Sequence, residues 1–292
     1  MKYLVLGANS FYGGAFHDLL LEKGERFDLV YGPRFRLDEP EKSQSLESGI
    51  DNCDCIVNFI SKALVPESWE DPALWMKINA WGMTHLLEIL RRHEPKPFIH
   101  VSTPEVYGSS TNWVGEKTCF RPSTPYAVSR AAADMMLKAY WKAYKFPMMI
   151  TRTANIYGPG QQAFRLIPKA FRLIRAGDKF PVHGKGNSQR SFIHVRDACE
   201  ALLLLSKEGE FGETYHISTQ KTHSIIEVVK LIAHQLGRNH EDCYEFIPDR
   251  LGKDHAYLLN SDKMRELGWT DTITLKEGLK DYENSTVEHQ GS

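Results

Sequence analysis

Several features that would mark a particular class of protein are missing from this sequence. The net charge of its 292 residues is −1, so no overall positive field attracts nucleic acid or an anionic membrane. Its longest unbroken aliphatic run, Ala201–Leu205, is far too short to cross a bilayer, and no charged-then-apolar leader precedes the first predicted strand. The five cysteines follow neither metal-ligand nor disulfide spacing, and we expect Cys53 and Cys55 to be buried packing residues. These absences predict a reduced, cytoplasmic protein that binds no nucleic acid, membrane or metal.

The residues that are present alternate short apolar runs with longer helical patterns, which is typical of βαβ units and a parallel sheet. The predicted strands are Tyr3–Leu6, Asp28–Tyr31, Cys55–Phe59, Phe98–Val101 and Met148–Thr151, and the predicted helices lie near 12–22, 41–49, 72–92 and 125–145. We therefore predict an α/β protein with a doubly wound, Rossmann-type sheet formed by residues 1–158 plus 187–211. Residues 159–186 and 212–292 are predicted to form a smaller mixed α/β lobe that binds substrate.

A glycine-rich loop, Gly7-Ala-Asn-Ser-Phe-Tyr-Gly13-Gly14, follows the first predicted strand and opens a helix. This is the place where a dinucleotide-binding fold needs glycine, for the tight turn and for close approach to a pyrophosphate. The middle glycine of the usual pattern is Ser10, which fits if its φ is negative and whose hydroxyl is then a candidate phosphate ligand. Gly7, Ser10, Phe11 and Gly13 are the predicted cofactor contacts, and glycines that merely punctuate a turn are the alternative.

The second strand should end near the ribose of such a cofactor, where NAD sites usually carry an acid. Here no acid occurs before Asp38, and Arg34 is placed to pair with the 2′-phosphate of NADP. The sequence leaves NAD and NADP open, and Arg34 as an ordinary surface charge is equally consistent.

A tyrosine and an arginine one helical turn apart follow in Ser123-Thr-Pro-Tyr126-Ala-Val-Ser-Arg130. Ser123 or Thr124 can cap the helix, and residues four apart share one helical face. A cation beside a phenol is expected to pull its pKa below about 10, so that Tyr126 can accept a proton from a hydroxyl. The alternative is a first-turn tyrosine with an incidental arginine.

A hydroxyl and a carboxylate, Thr103 and Glu105, come directly after the predicted Phe98–Val101 strand. Residues at the carboxyl ends of parallel strands face the ligand crevice, so these two are expected beside Tyr126. Together they predict a site for oxidation and proton transfer, although Glu105 as a structural carboxylate remains the alternative.

With these motifs the chain resembles an extended short-chain dehydrogenase/reductase, and most of all the dTDP-glucose 4,6-dehydratases and their relatives. The similarity covers essentially the whole chain and rests on the glycine loop, Asp71-Pro72…Asn79, Ser-Thr-x-Glu-Val-Tyr-Gly, Tyr-x-x-x-basic, Arg152-x-x-Asn155-x-Tyr-Gly-Pro-Gly160, Arg165-Leu-Ile-Pro168, Gln189–Asp197, Asp249–Asp254 and Glu266-Leu-Gly-Trp269. The resemblance implies bound NAD or NADP and a nucleotide-diphosphate sugar as substrate. It makes Tyr126 the base, places Thr103 on the sugar 4-hydroxyl and assigns Glu105 to protons at the neighbouring carbon.

The resemblance also supplies candidate substrate contacts outside the catalytic motifs. Asn155, Arg190 and Arg250 stand at positions expected to bind the nucleotide diphosphate, and Arg165 is a further substrate-binding candidate. The guanidinium group suits phosphate because its fork of donors binds two oxygens at once.

Two positions depart from the family pattern. The family lysine is Arg130 here, which keeps the positive charge and can still bond the nicotinamide ribose. It is bulkier and forks differently, so it is not a neutral replacement. Pro104 stands where the dehydratases carry the Asp that protonates the departing C6 hydroxyl. Thr-Pro-Glu is closer to the Thr-Ser-Glu of UDP-glucuronate decarboxylases, which need a cation for the substrate carboxylate. Lys62 is the candidate for that cation, with a solvated lysine as the alternative.

Four functions therefore remain open. A 4,6-dehydratase is the leading hypothesis, followed by a uronate decarboxylase, a 4-epimerase or 4-reductase, and a catalytically impaired nucleotide-binding protein. Family members pair through the helices that correspond to 72–92 and 125–145, so the resemblance also implies a homodimer.

Overall fold

The structure is a computed structural model that describes residues 1–30, 44–110, 112–249 and 256–288. Its strands are Lys2–Leu6 (β1), Arg26–Val30 (β2), Cys55–Asn58 (β3), Phe98–Ser102 (β4), Met148–Thr153 (β5), Asn155–Tyr157 (β6), Phe180–His183 (β7), Gln189–Arg190 (β8), Phe192–His194 (β9), Thr214–Ile217 (β10), His223–Ser224 (β11), Tyr244–Ile247 (β12) and Ala256–Tyr257 (β13). Its α-helices are Phe11–Glu22 (α1), Gln44–Asp51 (α2), Val65–Ser68 (α3), Pro72–Trp75 (α4), Gly82–Arg91 (α5), Pro125–Tyr144 (α6), Leu166–Ala176 (α7), Val195–Glu208 (α8), Ile225–Gln235 (α9), Asp262–Glu266 (α10) and Leu275–Glu288 (α11).

Six parallel strands form the central sheet, in the order β10-β5-β4-β3-β1-β2. The chain moves outward from β1 to β2 and then returns to the other side of β1 with β3, which confirms the doubly wound prediction. Strands of such a sheet are covered on both faces and therefore read as continuous apolar runs. Tyr3–Leu6 and Cys55–Val57 accordingly expose 0–1% of their surface, so both cysteines near β3 are packing residues as expected.

Two hydrophobic clusters cover the two faces of this sheet, and a third fills the lobe. Helices α1 and α8 pack on one face around Phe16 and Leu202, while α5 and α6 pack on the other around Leu86 and Leu137. The third cluster joins α7, α9 and α11 around Phe171. Within the described ranges no helix is both long and apolar enough to cross a membrane.

The predicted boundary of the lobe is wrong at one strand. Residues 212–292 were all assigned to the lobe, but Thr214–Ile217 pairs with β5 as the edge strand of the central sheet. Trp269, from the same segment, is buried in the cluster around Phe16. The division of the remaining residues between the two parts stays a prediction.

The predicted helix 72–92 is also not continuous. Helix α4 ends at Trp75, Met76–Trp81 form a π-helical turn, and α5 follows. Such turns are rare and often lie at functional sites, and this one has a single buried residue. That residue is Asn79, which is 2% exposed and reaches the loop after β3.

Candidate active site

The glycine loop joins β1 to α1 at the carboxyl edge of the sheet. Gly7 has φ +83°, a left-handed conformation that favours glycine. A Cβ on Gly13 would lie 2.4 Å from the Gly7 carbonyl oxygen, so only glycine lets the helix start so close to the turn. The N-terminal amides of α1 therefore face this edge, where an anion is favoured. The loop fits a dinucleotide pyrophosphate, as predicted.

Ser10 takes the place of the middle glycine without strain, because its φ is −78°. Its hydroxyl donates to the Gly7 carbonyl oxygen at 2.8 Å and accepts from the Gly13 amide at 3.1 Å. The serine thus caps α1, and its hydroxyl proton is engaged inside the loop. Its contact to a phosphate, like that of Phe11, stays a prediction.

The tyrosine of the predicted pair lies in the first turn of α6. Thr124 caps the helix by accepting from the Ala127 amide at 3.2 Å, and Pro125 occupies the first position, where no amide proton is needed. This geometry leaves Tyr126 half-buried. The cap and the proline therefore position its phenol at the start of the helix.

Thr103 and Glu105 lie where β4 ends, as predicted. Thr103 is the N-cap of a one-turn 3₁₀ helix, Pro104–Tyr107, and its hydroxyl accepts from the Glu105 amide at 3.3 Å. The Thr103 side chain also lies within hydrogen-bond reach of the Tyr126 phenol, and the charges of Glu105, Arg130 and Arg165 act on the same phenol. Four of the predicted site residues thus act on the hydroxyl of a fifth, Tyr126.

The predicted acidity of Tyr126 is wrong in its net direction. Burial raises the pKa of this phenol above its usual value, and the Arg130 charge opposes the rise without cancelling it. The Glu105 carboxylate raises the pKa further, whereas the hydrogen bond with Thr103 and the Arg165 charge lower it. Desolvation penalises the phenolate more than the arginine favours it.

Arg130 is almost completely buried, with 2% of its surface exposed. Its Nη2 donates to the Val101 carbonyl oxygen and lies 3.2 Å from His100 Nε2. Both partners belong to β4, so the guanidinium is fixed between α6 and the sheet. Its predicted contact to the nicotinamide ribose stays a prediction.

The loop after β3 is held to the catalytic helix by Asn79. The Asn79 amide accepts from the Lys62 backbone at 2.8 Å and donates to the Lys62 carbonyl oxygen at 3.0 Å and to Ser129 Oγ at 2.9 Å. The Lys62 Nζ lies 4.3 Å from the centroid of the Trp75 ring, a cation–π contact. Its role as the partner of a substrate carboxylate stays a prediction.

The predicted substrate contacts come from both predicted parts of the chain, Asn155 and Arg190 from the residues assigned to the sheet and Arg165 from those assigned to the lobe. Asn155 is exposed on β6, and Arg165 is half-buried just before α7. Arg190, also half-buried, lies with its Cζ 4.6 Å from the centroid of the Tyr257 ring. Three further predictions fall outside the described residues, namely Arg34 and Asp38 for the cofactor and Arg250 for the substrate.

A buried polar chain beneath the site was not predicted. It runs through Asp134, Arg152, Tyr107 and His216, each exposing 0–4% of its surface. Arg152 could have indicated this chain from the sequence, because an arginine in a buried strand requires a buried partner for its charge. The sequence alone gives no way of choosing Asp134 as that partner.

Comparisons with known proteins agree with this fold. A family model described as GDP-mannose 4,6 dehydratase matches residues 35–282. Human dTDP-D-glucose 4,6-dehydratase is 34% identical over 235 residues, which make up 78% of this chain and 67% of the human protein. The crystal structure of DesIV, a dTDP-glucose 4,6-dehydratase from Streptomyces venezuelae with NAD bound, has a TM-score of 0.91 and 27% identity, and covers 100% of this chain and 98% of that one.

A trifunctional UDP-glucose 4,6-dehydratase/UDP-4-keto-6-deoxy-D-glucose 3,5-epimerase/UDP-4-keto-L-rhamnose-reductase from Arabidopsis thaliana is 33% identical over 79% of this chain. The match covers 35% of the plant protein. The chain thus spans about a third of the length of this plant relative and about two thirds of the human one.

Proposed function

The chain belongs to the GDP-mannose 4,6 dehydratase family of extended short-chain dehydrogenase/reductases, and from this membership we propose that it is an NAD(P)-dependent 4,6-dehydratase of a nucleotide-diphosphate sugar. The observation that carries the proposal is the cluster around Tyr126, where Thr103, Glu105 and Arg130 all act on one phenol. The relatives named above are dehydratases, which supports the same reaction.

The cofactor would be held by the loop of Gly7, Ser10, Phe11 and Gly13 and by the N-terminus of α1. The close approach of Gly13 to Gly7 supports this assignment, because any side chain there would close the cradle. When bound, the dinucleotide supplies the hydride acceptor for C4 of the sugar. Whether it is NAD or NADP depends on residues near Arg34 and Asp38.

Each catalytic residue then has a distinct role. Thr103 holds the 4-hydroxyl of the sugar, and Tyr126 accepts its proton as C4 is oxidised. Glu105 removes the proton from the neighbouring C5, which the new C4 carbonyl makes acidic, and the C6 hydroxyl takes up a proton and leaves as water. The hydride taken from C4 then returns to C6 and a proton to C5, so the sugar loses water with no net oxidation. Asn155, Arg165, Arg190 and Arg250 bind the nucleotide diphosphate, to which guanidinium groups are suited.

A uronate decarboxylase is a second candidate, because of Pro104. This residue is buried at the first position of the 3₁₀ turn and carries no proton to give to a departing C6 hydroxyl. Loss of CO₂ from a 4-keto uronic acid needs no such donor. Lys62 would then face the substrate carboxylate, leaving its position on Trp75.

The experiment that separates these candidates is incubation of the protein and NAD or NADP with dTDP-glucose, UDP-GlcNAc, GDP-mannose and UDP-glucuronate. Mass spectrometry reads loss of water as dehydration, loss of CO₂ as decarboxylation, and no change of mass as epimerisation or no reaction. The Tyr126→Phe variant is the control: it should turn over no substrate and still bind the cofactor. Full turnover by this variant would refute the assigned base, and a protein that binds cofactor but converts nothing would be a nucleotide-binding protein.

We further propose that the protein is a homodimer that pairs through the helices of residues 72–92 and 125–145. Large apolar side chains are exposed on these elements: Met76 at 39%, Trp81 at 43%, Val128 at 42% and Met135 at 62%. Val128 and Met135 lie seven residues apart on α6 and therefore share a face. Exposed apolar residues grouped in this way are typical of an interface. A cytoplasmic location is proposed as well, supported by five cysteines that are all free thiols.

A further inference from the structure

Tyr107 lies beneath the site. It is the last residue of the 3₁₀ turn that contains Glu105 and that Thr103 caps. Its ring is 4% exposed and packs edge-on against Phe120 and His216. Its hydroxyl accepts from Arg152 Nη1 and lies 2.7 Å from His216 Nε2. The Tyr107 hydroxyl thus anchors the C-terminal end of the Pro104–Tyr107 turn through its hydrogen bonds.

The direction of each hydrogen bond in this chain follows from its partners. An arginine can only donate, so the Tyr107 oxygen accepts from Arg152 and its proton points to His216 Nε2. The other ring nitrogen, Nδ1, lies 3.0 Å from the Asn260 carbonyl oxygen and must therefore carry the proton. Burial, reinforced by the Arg152 charge, lowers the pKa of His216 to about 3, so the ring is neutral and one tautomer satisfies both contacts. A second acceptor, the Glu116 carbonyl oxygen, lies 3.3 Å from the hydroxyl.

On its other side the chain reaches the helix that carries Tyr126. Arg152 donates to Asp134 Oδ2 from Nη2 at 2.7 Å and from Nε at 3.2 Å, and both side chains are 0% exposed. Asp134 lies on α6 eight residues after Tyr126, about two helical turns away. The chain therefore connects the turn of Thr103 and Glu105 to the helix of Tyr126 by charged and directional hydrogen bonds, which are the stronger kind.

We propose that Tyr107 is a positioning residue for the reaction, whose hydroxyl, held between Arg152 and His216, fixes Glu105 and Thr103 relative to Tyr126. This inference rests on the proposed function for its kinetic consequences. Its geometric basis is the length of the turn: only three residues separate Thr103 from Tyr107, so a shift of the Tyr107 ring moves the two catalytic side chains with it. Neither Tyr107 nor its partners touches the substrate in this assignment.

The test is the Tyr107→Phe variant, which removes the hydroxyl and keeps the ring and its packing. A shift of the catalytic groups by about 1 Å can cost up to about a hundredfold in rate, so we expect kcat to fall by about ten- to a hundredfold with KM changed less than about twofold. The matched control is Tyr3→Phe, which removes another buried hydroxyl, bonded to Ser206 at 2.8 Å on β1, far along the chain from the catalytic turn. It should destabilise the protein while leaving kcat unchanged.

A second measurement separates positioning from a general loss of stability. If Tyr107 acts through the turn that carries Glu105, the rate defects of Tyr107→Phe and Glu105→Gln should combine to less than their full product in the double variant, because the part exerted through Glu105 is already lost. Exchange of the C5 proton with deuterium from solvent should slow in Tyr107→Phe and not in Tyr3→Phe. A Tyr107→Phe variant with an unchanged kcat, or a double variant whose defects multiply fully, would overturn the inference.

If the unmodified protein converts no nucleotide sugar, rates cannot be compared, and a crystal structure of Tyr107→Phe tests the positioning role instead. Absence of conversion would refute the proposed function, whereas the position of Glu105 would still decide the inference. Displacement of Glu105 relative to Tyr126 in this variant, and not in Tyr3→Phe, supports positioning. Unmoved side chains would overturn it.

Discussion

Neutralising one buried carboxylate should destabilise this protein far more than neutralising an exposed one in an equally good ion pair. Asp134 and Arg152 form a bidentate-donor pair with both side chains 0% exposed. Arg196 and Glu22 form a pair with distances of 2.6 and 2.8 Å, but their side chains are 47% and 51% exposed. The variants Asp134→Asn and Glu22→Gln remove one negative charge each and preserve side-chain shape.

The expected size follows from the surroundings of Asp134. Its Oδ1 lies 3.9 Å from His100 Nε2, and burial lowers the pKa of His100 well below its usual range, so this ring is neutral. Loss of the carboxylate leaves the guanidinium of Arg152 without its charged partner in a dry interior. Breaking a buried pair from one side costs about 3–5 kcal/mol in the free energy of unfolding. At about 2–4 °C per kcal/mol, the Tm should fall by about 6–20 °C.

The assay is thermal unfolding at pH 7 in low and in high salt. The Glu22→Gln variant should lower the Tm by less than half as much as Asp134→Asn, and its effect should shrink in high salt because exposed charges are screened. The effect of Asp134→Asn should persist in high salt. Equal shifts for the two variants, or a loss of the Asp134→Asn effect in salt, would show that the buried pair does not stabilise the fold in the way its geometry indicates.

Three further predictions concern the reaction and the assembly. Because the pKa of Tyr126 is raised and its ionised form accepts the proton, kcat/KM should rise with pH into the alkaline range. Arg130→Met removes a charge that lowers this pKa, so it should move the rise to higher pH. A pH profile that Arg130→Met leaves unchanged would contradict this prediction. Pro104→Asp should raise the rate of water loss from a hexose substrate by at least about tenfold, as expected for one added general acid, whereas a variant as slow as the unmodified chain would show that the acid is supplied elsewhere. Met135→Glu should convert a dimer to a monomer in light scattering after size-exclusion chromatography, because it places a charge in an apolar interface; an unchanged mass would exclude this face.

The central sheet could be predicted because its strands are buried on both sides and therefore stand out as apolar runs. Strand β10 escaped prediction for the converse reason: its sequence, Thr214-Tyr-His-Ile217, is mixed in polarity. All four of its residues are nevertheless buried, against β5 and the segments of Trp269 and Asn260. The residues that cover β10 lie far from it in the sequence, so its own sequence does not reveal the burial. The π-helical turn at Asn79 was missed similarly, since one inserted residue barely changes the apolar pattern of a helix.

The candidate site was predicted in its membership but not in its electrostatics. Tyr126, Thr103 and Glu105 could be grouped because each follows a strand or opens a helix at the same edge of the sheet. The direction of the Tyr126 pKa was wrong because the sequence reveals the neighbouring Arg130 but not the burial, which is the larger effect. The chain through Asp134 and Arg152 could not be found either, because its members are brought together only by the packing of α6 on β5.

Both departures from the family pattern occur where the scaffold tolerates them, and this explains how the fold can be kept while the chemistry changes. Pro104 takes the first position of the 3₁₀ turn, where the missing amide proton costs nothing and the Thr103 cap to Glu105 is retained. Arg130 donates to the Val101 carbonyl oxygen on β4, and its charge still acts to lower the pKa of Tyr126. What is lost is one proton donor and the compact ammonium group. Under the proposed function, the affected steps are therefore protonation of the leaving group and the setting of the tyrosine pKa, and not the oxidation at C4.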